Sequence, residues 1–484
     1  MKRLLKTRYA SLLVAVAAVS LAGCATQPTA TPPAAKAPAT EAATLTAVSS
    51  ANGVHEYRLD NGMKIIIKED HRAPVVVSQI WYKVGSSYEH GGITGVSHVL
   101  EHMMFKGTEK HGPNEFSRII AANGGRENAF TGQDYTAYFQ QLEKSRLAIS
   151  FELEADRMQN LRLDPAEVKK EVQVVMEERR MRTEDKPQSL TYEQFKAAAF
   201  VTSPYHNPII GWMDDLENLT LDDLQQWYQH WYAPNNATLV VAGDVDPRQV
   251  AELAKKYFGP VKPRPVPALK PRREIEQRGI RRITVKAPAQ LPTLFMGYKA
   301  PVIKTAKVDW EPYAIDMLAG VLDGGESARF TRNLIRGQQI AASVGAGYDL
   351  HSRLGDMLVI SGTPSKDVSI EELETAIRAE IDRFKTELVS AEELARVKAQ
   401  VVAAKVYEKD SIFYQAMQIG TLETVGLNWR LMDEYVDRLK AVTPEQIREV
   451  ANKYLIEDRL TVAVLEPQAM TSTTPAAHGG QHAH

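Results

Sequence analysis

Leu216-Glu217-Asn218-Leu219-Thr220-Leu221-Asp222-Asp223-Leu224-Gln225-Gln226-Trp227-Tyr228-Gln229-His230-Trp231 has a counterpart later in the chain. Its pattern returns without a gap as Leu439-x-x-Val442-Thr443-x-x-x-Ile447-x-x-Val450-x-x-Lys453-Tyr454, and Thr220 and Thr443 lie 223 residues apart. The same offset carries into Thr238-Leu239-Val240-Val241 and Thr461-Val462-Ala463-Val464. In each copy the first run reads as a helix and the second as a strand. A helix–strand ending repeated at one offset implies a tandem duplication, two α+β domains of like fold. The Pro- and Arg-rich segment 262–275 divides them, giving domains at 53–262 and 276–467.

The chemistry lies in the first copy, in Gly95-Val96-Ser97-His98-Val99-Leu100-Glu101-His102-Met103-Met104-Phe105. The apolar residues between the polar ones predict a buried helix. His98 and His102 stand at i and i+4, so both imidazoles leave one face a turn apart. Two nitrogens so placed can reach one tetrahedral zinc at about 2.0–2.1 Å. Glu101 follows His98 by three residues and can reach a water at such a metal without ligating it, where a general base belongs. Two His and a Glu would be costly to bury on one apolar helix without a cation to pair with. In the second copy, Tyr313-Ala314-Ile315-Asp316-Met317-Leu318-Ala319-Gly320 takes this helix's place, and Asp316, Ala319 and Gly320 stand for His98, Glu101 and His102. The second domain is expected to keep the helix and lack the metal.

The 484 residues, 44% of them hydrophobic, suffice for two to four domains. Lys+Arg 58 against Asp+Glu 60 leaves a net charge of −2, so no global field points to nucleic acid. Lys2, Arg3, Lys6 and Arg8 precede a short apolar run, Ser11 to Ala22, which reads as a secretory signal over residues 1–24. It ends in Leu21-Ala22-Gly23-Cys24, similar to the lipobox of bacterial lipoproteins, and Cys24 is the chain's only cysteine. Cys24 is therefore expected to be lipidated. With Ala25 after it, the resemblance implies an anchor in the outer membrane facing the periplasm. The Ala/Pro/Thr-rich residues 25–52 read as a tether, and 468–484, with His478, His482 and His484, as a tail without fold.

Two His leave a zinc one protein ligand short. Asp164, Pro165 and Glu167 mark the start of a helix that carries Glu171, Glu177 and Glu178. Glu171 and Glu178 are seven apart and share a stripe, while Glu177 points about 100° from Glu178. Spacing alone does not choose among them.

The H-x-x-E-H helix, with its Glu before the second His, the Glu171…Glu178 pair and the duplicated domain together resemble the pitrilysin/insulinase family of zinc metallopeptidases. The likeness covers roughly residues 54–466 and is greatest to the bacterial and mitochondrial-processing-peptidase branch. It implies two α/β-sandwich domains with antiparallel-rich sheets, forming half of a clamshell around peptides or unfolded segments. It also implies one zinc per chain on His98, His102 and Glu178, with Glu101 as base and Glu171 supporting the ligands from outside. Asn128 and Ala129, in Gly125-Arg126-Glu127-Asn128-Ala129, match the family's edge strand, which holds substrate backbone by β-augmentation. Family members that cut alone carry an Arg and a Tyr in the second domain. Here Arg336 matches the Arg, but Ala342 stands at the Tyr position. Either Tyr348 substitutes, or a partner in a homodimer or in a heterodimer with a non-zinc family subunit supplies the missing group; the second expectation is preferred. The expected function is that of a zinc endopeptidase, with a non-catalytic peptide-binding or structural subunit as the alternative.

Overall fold

The structure, a computed structural model, describes residues 43–469. Its first half contains strands β1 (Leu45–Ala51), β2 (Val54–Leu59), β3 (Lys64–Glu69), β4 (Val75–Tyr82), β5 (Arg126–Thr131), β6 (Thr136–Glu143) and β7 (Ala237–Gly243). Its helices are α1 (Val96–Met103), α2 (Glu115–Ala122), α3 (Leu147–Asn160), α4 (Pro165–Arg179), α5 (Pro187–Ala199), α6 (Met213–Asn218), α7 (Leu221–Trp231) and α8 (Pro247–Phe258). The second half contains β8 (Arg281–Pro288), β9 (Thr293–Ala300), β10 (Ala341–Gly347), β11 (Asp356–Pro364) and β12 (Leu460–Gln468). Its helices are α9 (Glu311–Asp323), α10 (Ile370–Thr386), α11 (Ala391–Glu408), α12 (Ile412–Thr424), α13 (Leu431–Ala441) and α14 (Pro444–Tyr454).

The strand orders establish the duplication. The first sheet runs β1-β2-β3-β7-β4-β6-β5 and the second β10-β11-β9-β12-β8. Read from the β5 end, the first sheet repeats the second strand for strand, with a β1–β2 hairpin added beyond β3. Each is mixed: β3–β7 and β12–β8 are the parallel pairs, and the other neighbours are antiparallel. The repeat was visible because both copies start the helix before their last strand alike. Thr220 with Asp223 and Thr443 with Gln446 close capping boxes on α7 and α14, satisfying two orphan amides at each helix start.

One face of each sheet is covered by helices of its own half. The other face is covered by a helix from the opposite half. α5 lies on β8, β9 and β12, and its counterpart α12 lies on β3, β4 and β7. Under α12, Ala416 and Ile419 pack with Val77, Trp81 and Val240. Under α5, Phe195, Ala199 and Phe200 pack with Met357 and Ala463. A side chain such as Ile419, fully buried, contributes roughly 1.5–3 kcal/mol by leaving water. Both contacts rely on a missing Cβ. One added at Gly420 of α12 would lie 2.0 Å from the Trp81 ring of β4, and one at Gly297 of β9 would lie 2.5 Å from Phe195 of α5.

Two boundaries differ from expectation. The tether assigned to 25–52 overlaps the fold: Leu45–Ala51 is strand β1, antiparallel to β2. As an outer strand it needs little beyond backbone hydrogen bonds, so its Thr, Ser and Ala composition resembles a linker. The boundaries 53–262 and 276–467 describe the sheets, but the exchange of α5 and α12 makes each half incomplete alone. The second half also reaches one residue further, since β12 ends at Gln468. The signal segment, Cys24 and the tail histidines fall outside the described residues. Among the described residues no helix is long and apolar enough to cross a membrane.

The segment between the halves is fastened at both ends. Arg264 donates to the Tyr228 carbonyl at 3.2 Å, and Glu274 accepts from the amides of Val201, Thr202 and Ser203 and from Lys299 at 2.7 Å. Burial raises the Glu274 pKa, but Lys299 and the three amides outweigh it and hold the carboxyl at about 2.

Two predictions follow from this packing. Gly420→Ala should destabilise the chain by about 1–3 kcal/mol or more, as overpacking of a closed contact does. Gly91→Ala, whose Cβ meets nothing within 4 Å, should stay within about 0.5 kcal/mol of wild type in the same thermal melts. Glu274→Gln should cost about 1–3 kcal/mol at pH 7 by leaving charged and amide donors underserved. Because the folded pKa lies below the ordinary 4.5, the gap to wild type should be full above about pH 5 and shrink as the pH falls towards about 2. Urea unfolding across that range measures it.

Candidate metal centre

α1 begins without a cap of its own. Gly95, at its N-terminus, has φ 89°, and a Cβ there would lie 2.7 Å from the Ile210 carbonyl oxygen. Glu89 takes orphan amides, accepting from Gly95 at 2.8 Å and from Ser97 at 2.9 Å, and Asp215 fastens the preceding turn, accepting from Gly92 and Thr94, both at 3.1 Å. Glu89 is fully buried, and burial pushes its pKa up to about 7 despite these bonds. Anionic groups at this end also suit the helix dipole.

α4 packs on α1 and brings its carboxylates to the two His. Glu178 Oε2 lies 3.8 Å from His98 Nε2 and 3.6 Å from His102 Nε2. Glu171 Oε2 lies 3.2 Å from His102 Nδ1 and orients that ring, while its other oxygen pairs with Lys106 at 2.6 Å. Glu178 Oε1 pairs with Arg182 at 2.6 Å. Glu177 turns away, exposed, to Arg180 at 2.8 Å. The choice that spacing left open therefore falls on Glu178 beside the His pair, with Glu171 behind His102.

The donor atoms of His98, His102 and Glu178 lie within 4.8 Å of one another, the one such group among the described residues. A tetrahedral ion with bonds of 2.0–2.1 Å sets its donors about 3.4 Å apart, and the two His–Glu178 separations, 3.8 and 3.6 Å, come close to that. The protonation states fit too. Burial, with His102 and Arg182 nearby, pushes His98 down to about 3, leaving a neutral imidazole at pH 7. His98 Nδ1 is buried and has no hydrogen-bond partner among the described residues, which leaves Nε2 as the ring's polar contact. Two imidazoles and a carboxylate are the donor set of a zinc site with a position left open.

Glu101 stands next to this set, and its Oε2 accepts from the Thr131 hydroxyl at the end of β5. Burial raises its pKa, and the Thr131 bond offsets part of the rise. The site opens into a cavity of about 1740 Å³ walled by both halves, with Asn128 to Thr131 on one side and Phe295 and Tyr348 on the other. β5 is the outermost strand of its sheet, so Asn128 and Ala129 lie on an edge beside Glu101.

The second-domain residues are placed differently. Arg336 does not line the cavity; it is 62% exposed and pairs with Glu326. Tyr348 does line it, but its hydroxyl donates to the Pro301 carbonyl. Ala342 lies exposed on β10. Where His102 meets Glu171 in the first copy, Gly320 faces Val397 in the second, with only 2.8 Å from an added Cβ to Val397. Asp316 accepts from Tyr435 at 2.7 Å instead of facing a metal.

Sequence reading missed Glu89, Asp215, Lys106, Thr131 and Arg182. Arg182, one helical turn after Glu178, was open to detection as an i,i+4 pair. The others reach the site from turns, a strand edge and, for Asp215, the first turn of the short helix α6, with no periodic signal.

Residues 64–212 match the family described as Insulinase (Peptidase family M16), and residues 218–401 match the Peptidase M16 inactive domain. The zinc protease PqqE of Helicobacter pylori is 31% identical over 420 residues, covering 84% of this chain and 92% of that one. The chain belongs to peptidase family M16. The crystal structure of a protease from Helicobacter pylori superposes on this M16 chain with a TM-score of 0.80 at 29% identity, over 88% of this chain and all of that one. The periplasmic protease PqqL of Escherichia coli shares the fold, with a TM-score of 0.73 at 19% identity, over 88% of this chain but half of its own length.

Groups that orient metal ligands typically matter ten- to hundred-fold in affinity. Glu171→Gln and Glu89→Ala should each weaken zinc binding by roughly that factor while the chain stays folded, as measured by competition with a chelator and by circular dichroism.

Proposed function

We propose that this M16 chain is a zinc-dependent endopeptidase acting on peptides or unfolded polypeptide segments. The observation that carries the reading is a base outside the ligand set: Glu101 lies beside the convergent His98, His102 and Glu178 at the wall of a cavity. One zinc per chain is held by those three residues. When bound, it supplies Lewis acidity, which lowers the pKa of water towards ~7 and polarises a carbonyl. An extended peptide lies along β5, where Asn128 and Ala129 meet its backbone as an added strand would. Glu101 takes the proton of the attacking water and hands it to the leaving amide nitrogen. Its burial favours this by raising its affinity for the proton. Thr131 keeps the carboxylate aimed.

The developing oxyanion needs a donor. Arg336 lies away from the cavity on Glu326, and the Tyr348 hydroxyl is engaged by Pro301. The chain therefore works as a homodimer, or as a heterodimer with a non-zinc M16 subunit whose Arg and Tyr complete the site. That this chain corresponds to half the length of PqqL supports the pairing. Cys24, after a basic start and an apolar run, anchors the chain by lipid in the outer membrane on the periplasmic side. A second reading, a non-catalytic subunit, is favoured by the placement of Arg336; the retention of Glu101 weighs against it.

The test is hydrolysis of a quenched fluorescent peptide library, with zinc content measured on the same samples. Glu101→Gln should keep its zinc and lose about 10²–10⁴-fold in rate, the usual contribution of a general base. Glu178→Gln should lose both metal and rate. A wild type that holds zinc yet cuts nothing, alone or mixed with a non-zinc M16 subunit, would establish the second reading.

A further inference from the structure

Neither Arg336 nor the Tyr348 hydroxyl is directed at the site, yet the second half sends a charged side chain into the first half where two supports of the metal centre meet. Arg353, on the loop between β10 and β11, donates through Nε to Asp134 Oδ1 at 2.9 Å and through Nη2 to Ser87 Oγ at 2.7 Å. Ser87 donates in turn to the same Asp134 oxygen at 2.6 Å, so guanidinium, hydroxyl and carboxylate close a ring. The guanidinium also lies 4.4 Å from the centre of the Tyr88 ring. Asp134 and Ser87 are buried, and the Arg353 side chain is only 17% exposed.

The loop that carries Arg353 is itself held. The amides of Arg353 and Leu354 donate to the Tyr205 hydroxyl at 3.0 and 3.1 Å, and that hydroxyl donates to the second oxygen of Asp134. Both carboxylate oxygens of Asp134 are thus engaged, one by the Arg353 side chain and one by the residue that fixes its backbone.

Each partner of Arg353 leads to the metal centre by a short path. Asp134 lies in the turn between β5 and β6, three residues after Thr131, whose hydroxyl donates to Glu101. Ser87 lies two residues before Glu89, which accepts from the first amides of α1, the helix of His98, Glu101 and His102. The two segments are also stitched together. The amides of Ser86 and Ser87 donate to the carbonyls of Gly132 and Gln133 at 3.2 and 2.8 Å, and a Cβ at Gly85 would lie 2.3 Å from the Gly132 oxygen. A shift in this stitch would be felt both at the base and at the start of the helix that carries it. Arginine suits the place, because its planar fork spans two acceptors in fixed geometry while its face rests on a ring.

We propose that Arg353 is a positioning residue for the metal centre. It locks the β5–β6 turn against the segment before α1, so that Thr131 aims Glu101 and Glu89 holds the helix start. The half without the metal donors thereby takes a direct part in the site. The effect on rate rests on the peptidase reading; the lock itself does not.

The test uses the chain from Ala25 and three variants: Arg353→Lys, Arg353→Met, and Arg353→Met combined with Asp134→Asn. The last leaves no buried charge unpaired, should the single Met variant fail to fold. Amide hydrogen exchange is followed at Ser86, Ser87 and Gly132, with Val240 in the middle of the first sheet as reference, and peptide hydrolysis and zinc content are measured on the same samples. Exchange at the three amides should rise by about ten-fold or more beyond any rise at Val240, as for a local opening. Misplacement of the base should lower kcat by about ten-fold or more, with KM within about two-fold of wild type and zinc retained. Arg353→Lys keeps the charge but not the fork, so it should behave as Arg353→Met does. An active enzyme whose kcat survives these substitutions overturns the proposal, as does full rescue by lysine or a rise in exchange no greater than at Val240. If wild type cuts nothing, the peptidase reading falls, and the exchange measurement still decides whether Arg353 locks the turn.

Discussion

A sheet with two apolar faces must cover both, and in this chain the second cover comes from the other half. α5 under the second sheet and α12 under the first are the constraint on which the rest depends. α4, which carries Glu171 and Glu178, passes through a single π turn at Arg180–Glu184 directly into the stretch leading to α5. The helix that brings Glu178 to the two histidines is thus fixed at one end by α1 and at the other by a contact in the opposite half. A wider turn of this kind adjusts a helix's direction without breaking its ladder, and such turns are frequent at functional sites. Domain pairing and metal geometry are one packing problem here.

The two copies show how little is needed to lose the site. The sheets, the capping boxes of α7 and α14 and the α1–α4 and α9–α11 packing are all retained. Gly320 against Val397 replaces a His–Glu hydrogen bond with close apolar contact, and the lone polar remnant, Asp316, is satisfied by Tyr435. Burial pushes Asp316 up to about 6, as expected for a carboxyl that keeps one neutral partner and no cation in contact. An apolar seam at this junction is cheaper to hold together than three buried ionisable groups. The first copy keeps the costlier arrangement, and Glu89 and Asp215 must then brace its helix from outside.

How much of this was legible depended on whether the signal was local. The duplication could be read because Thr220 and Thr443 begin helices whose buried positions recur in register. His98, Glu101 and His102 could be read because helical spacing places them on one face. Glu178 could not be separated from Glu177, because adjacent helical residues differ only in direction, and the direction of α4 is set by its contacts with α1. β1 looked like tether because an outer strand needs few large side chains. α5 went unassigned because the strands it covers are far away in sequence, at β8, β9 and β12. Thr131 and Glu89 act on the site through one hydrogen-bonding group each, and neither has a pattern around it to find.

The Thr131 bond joins the cavity wall to the chemistry. β5 is the outer strand, and its last residue holds the carboxylate of Glu101. Glu101 shares α1 with both imidazoles, and Trp81, wedged against Gly420 of the exchanged helix, packs edge-on at 5.3 Å against Phe130 of β5. The edge, Glu101 and the His98–His102–Glu178 set are therefore parts of one rigid assembly, clamped by the second half. A backbone laid on this edge would meet Glu101 at a distance set by strand register, with no loop needing to close over it. Such preorganisation lowers the cost of bringing reacting groups together. It also explains why the second half persists without ligands: removing α12 would release Trp81, and with it the strand on which that alignment rests.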